Sequence, residues 1–537
     1  MKLKTTLFFT FFLLSCYLVH AQNKSFTTHL PIIYLNTNGQ QIPDDPKIDA
    51  TMEIAWKGNG LDNSTSDPKN HFKGNIAIEI RGSSSQMFPK KSYGLELRDP
   101  SGADMDFPLL GLPEEEDWIL YAPYTDKSLI RNVLTFTLVH KMSDTYASRC
   151  RLVELFLNDE YEGIYVLMEK IKRDSERVDI ANLKPEDISG EELTGGYIIK
   201  IDKQTGSGGD GWSSNYPSYN NSHTFYQYEY PGSDEIQPEQ KNYIQNYIDD
   251  FETAVKNLLH SEQNGYQNYM NLETFYDYAI VNELSKNIDG YRLSAFLNKD
   301  KNGKLNAGPI WDHNLAFGNA DYYNAWSANG LIVFQNIGDD YWQVPFWWRT
   351  LMGDNVFINP LRCRWETLRK NVLTEENILG IIDSLTTYMG SAVDRNFERW
   401  PILNEYVWPN YYVGNNYPNE IKWLKDWVKL RLTRLDIEMP GICVGNTGVP
   451  GLEDNPFVFY PNPFTTELHL KIESKNDTGF KLLIYSLNGA VVSAKKLSST
   501  TGENSYNLSL PELNSGVYIY HITQGDVEIS KGKLVKL

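Results

Sequence analysis

Apolar and polar residues alternate through much of the first two hundred positions. Ile76, Ile78 and Ile80 are separated by small or polar neighbours, and Tyr93-Gly94-Leu95-Glu96-Leu97 repeats the pattern. A period of two predicts half-buried strands. Residues 153–157 and 163–169 flank an Asn158-Asp159 turn and predict a hairpin, and 195–202 predicts a further strand. Between these lies a helical pattern, with Leu129, Ile130, Val133, Leu134, Thr137 and Leu138 recurring behind Asp126, the expected N-cap. Residues 204–231 are rich in Gly, Ser, Asn and Tyr and read as a long surface excursion. From Pro238 onward helical spacing dominates, as in Ile244, Tyr247, Ile248, Phe251, Val255 and Leu258. Strands followed by helices predict an α+β domain over residues 22–443, with two lobes and a cleft between them. Past a Gly-, Pro- and Asn-containing linker at 444–456, short alternating runs at 468–472, 480–485 and 517–522 predict a small all-β, Ig-like sandwich over 457–537.

Candidate chemistry concentrates at Asp289 and Asp312. Residues 271–285 predict a helix, and Asn287-Ile288-Asp289-Gly290 a turn at its end. Residues 291–298 and 305–311 predict two strands around the turn at 299–304, after which Asp312 opens the run Asp312-His313-Asn314. Helix, acidic loop, hairpin, second acid is the order in which a protein kinase presents its catalytic and its magnesium-binding aspartates. One carboxylate can orient and deprotonate a hydroxyl while the other holds metal on nucleotide phosphates. A solvated turn acid and a capping aspartate are the plain alternatives.

Other candidates surround this pair. The loop that begins with Arg81-Gly82-Ser83-Ser84-Ser85 joins two predicted strands and offers backbone N–H groups and hydroxyls to an anion. Lys90 and Lys91 leave that loop, and one of them is expected to face whatever it covers; a hairpin with solvated lysines is the bland reading. Glu169 ends a strand at the expected lobe boundary, where backbone amides can meet an adenine edge. Asn314 offers a neutral oxygen to a metal. His313 reads as a packing or orienting residue, since nothing resembles a His/Cys zinc set. The aromatic stretches 322–348 and 400–427 read as core and loop packing.

Bulk properties narrow the setting. The chain has 537 residues and a formal net charge of −19, which argues against nucleic acid and anionic lipid as partners. Lys2 and Lys4, the apolar run 7–14 and Val19-His20-Ala21 form an expected export signal over 1–21, cleaved before Gln22. Leu13-Leu14-Ser15-Cys16 is a competing lipoprotein signal. No later stretch is apolar for long enough to span a bilayer. Cys150, Cys363 and Cys443 then allow one disulfide, with Cys363 and Cys443 the favoured pair.

The large domain resembles the CotH family of atypical protein kinases. The likeness rests on Ile80-Arg81-Gly82-Ser83-Ser84-Ser85 leading to Pro89-Lys90-Lys91-Ser92-Tyr93, on Gly163-Ile164-Tyr165-Val166-Leu167-Met168-Glu169, on Asn287-Ile288-Asp289, and on the run from Gly308 through Trp311-Asp312-His313-Asn314 to Gly318. The resemblance implies Asp289 as catalytic aspartate, Asp312 as magnesium ligand, and ATP and Mg²⁺ as cofactors. Arg81, Ser83, Ser84, Lys90, Lys91 and Glu169 are then expected at the nucleotide. Two positions depart from the family's habit: Ser294 stands where members often carry Asn, and Asn314 where many carry a second Asp. Both can coordinate, Asn314 with less negative charge than Asp. The C-terminal part resembles the sorting domain of type IX secretion, through Phe459-Tyr460-Pro461-Asn462-Pro463-Phe464, Ile484-Tyr485-Ser486-Leu487-Asn488-Gly489 and Ser515-Gly516-Val517-Tyr518. It implies passage across a Gram-negative outer membrane and the type IX machinery as a partner.

The expected activity is Mg-dependent transfer of the ATP γ-phosphoryl group to a Ser or Thr hydroxyl of a secreted or envelope protein. The rivals are a non-catalytic surface scaffold that keeps the fold, and a glycoside hydrolase using Asp289 and Asp312.

Overall fold

The computed structural model describes residues 25–204, 209–261 and 263–443, and in the C-terminal region 457–460, 462, 464–474, 478–486, 490–511, 513–514, 516–524 and 527–536. The export signal, its Cys16 alternative and the linker at 444–456 lie outside the described residues. The chain divides into two compact units, Met1–Ile442 and Cys443–Leu537.

The first unit opens with β1 (Thr27–Thr28), β2 (Ile32–Asn36), β3 (Ile48–Ala55), β4 (Asn63–Ser64), β5 (Phe72–Arg81), β6 (Ser92–Arg98) and β7 (Asp117–Tyr121). Helix α1 (Arg131–Met142) and the hairpin β8 (Cys150–Leu157) and β9 (Glu160–Glu169) follow. β1 pairs with β4, and the other strands close into a barrel in the order β2-β3-β5-β6-β7-β9-β8, sealed by parallel pairing of β2 with β8. Alternation decides which side chains fill it. Ile76 and Ile78, Leu95 and Leu97, Trp118 and Leu120, Tyr165 and Leu167 point inward and form one core. Their neighbours Ile119, Ile164, Val166 and Met168 face outward and pack with Val133, Leu134 and Leu138 of α1.

The helix behind Asp126 starts later than its pattern predicts. Leu129 takes a left-handed backbone (φ 66°) and α1 begins at Arg131. Asp126 still serves the helix start: its carboxylate accepts from the backbone N–H of Ser128 (3.0 Å) and of Arg131 (2.8 Å).

A second sheet is built from β10 (Tyr197–Ile201), β11 (Gly211–Pro217), β12 (His223–Tyr230) and, after α2 (Pro238–Lys256) and α3 (Leu272–Ser285), the hairpin β13 (Ala295–Lys299) and β14 (Leu305–Ala307). The order is β11-β12-β10-β13-β14. The expected surface excursion at 204–231 is therefore corrected: most of it is the hairpin β11–β12. Tyr226 and Tyr228 of that hairpin are buried, and the Tyr226 hydroxyl donates to Glu252 of α2 over 2.7 Å. Aromatic burial outweighs a turn-like composition here. The predicted strand at 291–298 also begins later, at Ala295.

Helices α4 (Phe346–Leu351), α5 (Asn355–Lys370), α6 (Glu375–Met389), α7 (Ala392–Arg399) and α8 (Tyr417–Glu438) complete the unit. The result is an α+β unit with a β-rich front and an α-rich back. Cys363 and Cys443 are disulfide-bonded and Cys150 is free.

The second unit is all-β. Strands β15 (Phe457–Tyr460), β16 (Glu467–Ser474), β17 (Thr478–Ser486), β18 (Val491–Ser499), β19 (Gly502–Ser509), β20 (Gly516–Gln524) and β21 (Val527–Lys536) form two antiparallel sheets, β15-β16-β19 and β18-β17-β20-β21. Leu468, Leu470, Ile472, Leu482, Ile484 and Ile522 lie in one core shared by both sheets. No helix among the described residues is long and apolar enough to cross a membrane.

Candidate active site

Helix α3 delivers Asp289. Every residue from Thr274 to Ser285 is buried, and Lys286 leaves the helix in a left-handed conformation (φ 46°). The loop beyond is pressed against α3. The Tyr278 hydroxyl donates to the Gly290 carbonyl, and a Cβ on residue 290 would stand 1.9 Å from Oδ1 of Asn282. A side chain at 290 therefore forces the Asn282 amide or the loop itself to shift. Arg292, 3% exposed, donates from Nη2 to Oδ1 of Asp289 over 2.7 Å, and Oδ2 has no partner among the described residues.

Asp312 arrives after the β13–β14 hairpin with a left-handed backbone (φ 58°), which Asp tolerates better than most residues. The buried Asn287 side chain donates to the Asp312 carbonyl over 3.2 Å, so the two acidic loops are bonded to each other. The following residues are laced to α1 and α3. The Ser285 carbonyl accepts from the Phe317 N–H (2.7 Å), Oδ1 of Asn132 from the His313 N–H (2.7 Å), and Arg131 Nε donates to the Ala316 carbonyl (3.0 Å). His313 is buried, its ring bonded to Ser285 Oγ (3.2 Å), and burial lowers it to about 3. It is neutral and fixed.

A third acid joins this pair. Antiparallel pairing of Ile201 with Ala295 sets Asp202 opposite Ser294, whose hydroxyl donates to Asp202 Oδ2 over 3.3 Å. Gln227 donates to the carbonyls of Asp202 (2.7 Å) and Lys203 (3.1 Å), holding the strand end in place. Nothing in the alternating pattern separates Asp202 from any acid at the end of a strand. The register opposite Ser294 does.

Asp202 and Asp289 both act on Asp312. Surrounding protein raises the Asp312 carboxyl to about 6, the charges of Asp202 and Asp289 push it the same way, and Arg81 and Lys203 offset part of the rise. Asp312 is at the same time exposed to solvent. Asp312 thus reaches solvent while neighbouring protein and two further acids crowd its carboxyl. Asp202 is also raised, mainly by burial, with its bonds to Lys203 and Ser294 opposing. Arg81, the last residue of β5, is half-buried; desolvation lowers it, and Asp312 is foremost among the acids that counter this.

The remaining predicted residues go elsewhere. Ser83 and Ser84 are exposed on the turn beyond Arg81, where a short 3₁₀ helix runs Ser84–Met87. Lys90 is 3% exposed, and its ammonium donates to the Ile164 carbonyl (2.6 Å) and to Asn396 Oδ1 (2.9 Å) over the ring of Tyr165. Lys91 donates to the Gln86 carbonyl, within its own loop. Glu169 is fully buried and accepts from Arg149 Nε (3.0 Å), Arg149 N–H (2.9 Å) and the Tyr146 hydroxyl (3.1 Å). Asn314 follows Asp312 by two residues, and its carbonyl accepts from Asn319 (2.8 Å). Lys90, Lys91 and Glu169 are thus committed to the fold, while Arg81, Ser294, Asp289 and Asp312 converge.

Two other features compete for attention. A cavity of about 1170 Å³ lies between the end of α1, α3 and α5, and none of the three acids lines it. Two of its charged wall residues are paired, Arg364 with Asp277 (2.8 Å), and Arg149, also on its wall, reaches Glu169 outside it (3.0 Å). Among the described residues, Asp106, Glu115 and Glu116 bring carboxylate oxygens within 4.8 Å of one another, and Lys172 already bridges Glu115 and Glu116. The acids around Asp312 are less tightly gathered, and Arg81, Lys203 and Arg292 stand beside them. Mg²⁺ keeps several waters and is held by one or two carboxylates together with phosphate, a demand that Asp312 with one neighbouring acid can meet.

The chain belongs to the CotH kinase protein family, whose match spans residues 78–435. Residues 458–536 match the secretion system C-terminal sorting domain. No curated protein matches the chain. The sorting domain makes this a type IX secretion substrate, destined for the cell surface or the medium.

Proposed function

We propose that the first unit is a bilobed, kinase-like enzyme that transfers the γ-phosphoryl group of ATP to a hydroxyl of a secreted or envelope protein. The observation that carries this reading is the convergence of Asp289 and Asp312, on loops bonded through Asn287, with Arg81 acting on Asp312. Asp289 takes the part of general base. Arg292 holds its Oδ1, so Oδ2 is the oxygen that receives the acceptor proton. As the acceptor oxygen bonds to the γ-phosphorus, the bond to the β–γ bridging oxygen breaks and ADP departs. Arg81 is the cation for phosphate oxygens, a role in which Lys90 is replaced because its ammonium is engaged inside the fold. Asp312 would hold Mg²⁺ with Asn314 and Ser294 as neutral oxygens. With the cation bound, charge developing on the phosphoryl oxygens would be neutralised.

A surface scaffold that retains the fold is the second reading, favoured by the neutral Asn314 where a second Asp is usual. Transfer of labelled γ-phosphate from ATP to the organism's secreted proteins decides between them. Label that appears with the full exported chain and disappears with Asp289→Asn supports the kinase. Absence of label with the unaltered chain supports the scaffold.

A further inference from the structure

We infer that Asp340 fixes Asp289 for catalysis from a distance, through Arg292, and holds the segment after Asp312 in a permanently active position. The inference rests on the kinase reading above. In regulated kinases this segment is ordered by a phosphate that pairs with an arginine. Here the charge that meets the arginine belongs to a carboxylate of the segment itself.

Arg292 is almost wholly buried, and a buried guanidinium must have its donors satisfied. Nη2 goes to Asp289 Oδ1 (2.7 Å) and Nε to the Ile288 carbonyl (3.1 Å), both in the catalytic loop. Nη1 goes to Asp340 Oδ2 (2.9 Å) and to the Trp342 carbonyl (2.8 Å), both in the segment. One side chain thus couples the two. Asp340 is itself oriented: its Oδ2 accepts from the Tyr323 hydroxyl (3.1 Å) and its Oδ1 from the Trp342 N–H (3.1 Å).

The rest of the segment is tied down by charges on helices that frame it. Lys286, at the end of α3, donates to the carbonyls of Asn324 (3.1 Å), Ser327 (2.9 Å) and Asn329 (2.7 Å). Arg431 of α8 donates to the carbonyls of Ala328 (2.7 Å) and Gly330 (2.8 Å). Glu283 of α3 accepts from the N–H groups of Ile332 (2.7 Å) and Val333 (3.0 Å). Lys286, Arg431 and Glu283 are each 0% exposed. These anchors run from residue 324 to 333, and the Arg292–Asp340 pair closes the far end. Such a segment needs no added phosphate to reach its working position.

Asp340 is a positioning residue, so its test must separate position from folding. The full exported chain is compared with Asp340→Ala, the near-isosteric Asp340→Asn and the charge-restoring Asp340→Glu, before and after phosphatase treatment. Thermal unfolding is followed in parallel. The expected result for Asp340→Asn is a fall in kcat of about tenfold or more, with KM for ATP changed less than about twofold. Asp340→Glu regains part of the rate, and phosphatase leaves the unaltered chain's rate unchanged. The inference is overturned if Asp340→Asn turns over like the unaltered chain, if phosphatase removes the activity, or if every variant loses rate only in proportion to lost folded protein. An unaltered chain with no transfer activity overturns the kinase reading and this inference with it; the other outcomes overturn this inference alone.

Discussion

Arg292 reaches Asp289 over 2.7 Å at a single oxygen, Oδ1, and leaves the other oxygen without a partner among the described residues. A carboxylate held at one oxygen has a fixed direction and a free acceptor, which is the requirement for a general base. Replacing Asp289 with Asn keeps the shape and removes the base. Turnover in phosphoryl transfer is expected to fall by about 10²- to 10⁴-fold, with ATP affinity little changed. Steady-state kinetics beside equilibrium nucleotide binding measure both halves.

Asp312 gives a prediction for the protein without ligands. Its carboxyl rises from 3.8 to about 6, first through desolvation and then through Asp202 and Asp289. Between these values the folded chain binds a proton that the unfolded chain has released. Stability from this group is therefore present below pH 3.8 and is lost as pH rises through about 6. Asp312→Asn carries no such proton. The stability of the variant relative to the unaltered chain should increase steadily from pH 4 to pH 7, in urea unfolding with metal chelated. A difference that stays flat, or falls, contradicts the crowding of Asp312 by Asp202 and Asp289.

Lys90 is expected to matter for folding and not for nucleotide. Lys90→Met takes the ammonium from the buried Ile164 carbonyl and leaves Asn396 Oδ1 with the Ile164 N–H (3.0 Å) as its remaining donor, a loss of about 1–3 kcal/mol. Urea unfolding should show that loss while ATP affinity stays where it was. Reduced ATP affinity in a folded Lys90→Met would return the lysine to the phosphates.

Glu283 and Arg431 form an ion pair at 3.3 Å with both side chains 0% exposed. Removing one partner strands a buried charge, which costs about 3–5 kcal/mol. Glu283→Ala should show a stability loss of that size, and amide exchange at Ile332 and Val333 should quicken, since both N–H groups lose their acceptor.

Much of this was legible in the chain. Periodicity found the barrel strands because each has one face in a core, as with Ile76, Ile78, Leu95 and Leu97. It found α3 and the Asp289 loop because a buried helix followed by Asn-Ile-Asp-Gly leaves few alternatives. It misread 204–231, where Gly, Ser and Asn outnumber apolar residues although His223–Tyr230 alternates as β12. Side-chain direction was the harder part. A run Pro89-Lys90-Lys91 says that one lysine faces inward, and the sequence alone does not reveal that the inward ammonium meets Ile164 and Asn396. Asp202, Arg292 and Asp340 were missed for a shared reason: each earns its place through a partner far along the chain, at Ser294, Asp289 and Arg292, and no local pattern encodes such pairs.

The most direct measurement is calorimetric titration of ATP into the exported chain, with Mg²⁺ and with the metal chelated, repeated on Asp312→Ala. The expected result is nucleotide binding that depends on Mg²⁺ in the unaltered chain and loses that dependence in the variant. Binding that ignores the metal, survives Asp312→Ala unchanged, or is absent throughout would contradict a shared nucleotide and metal site at Asp289 and Asp312.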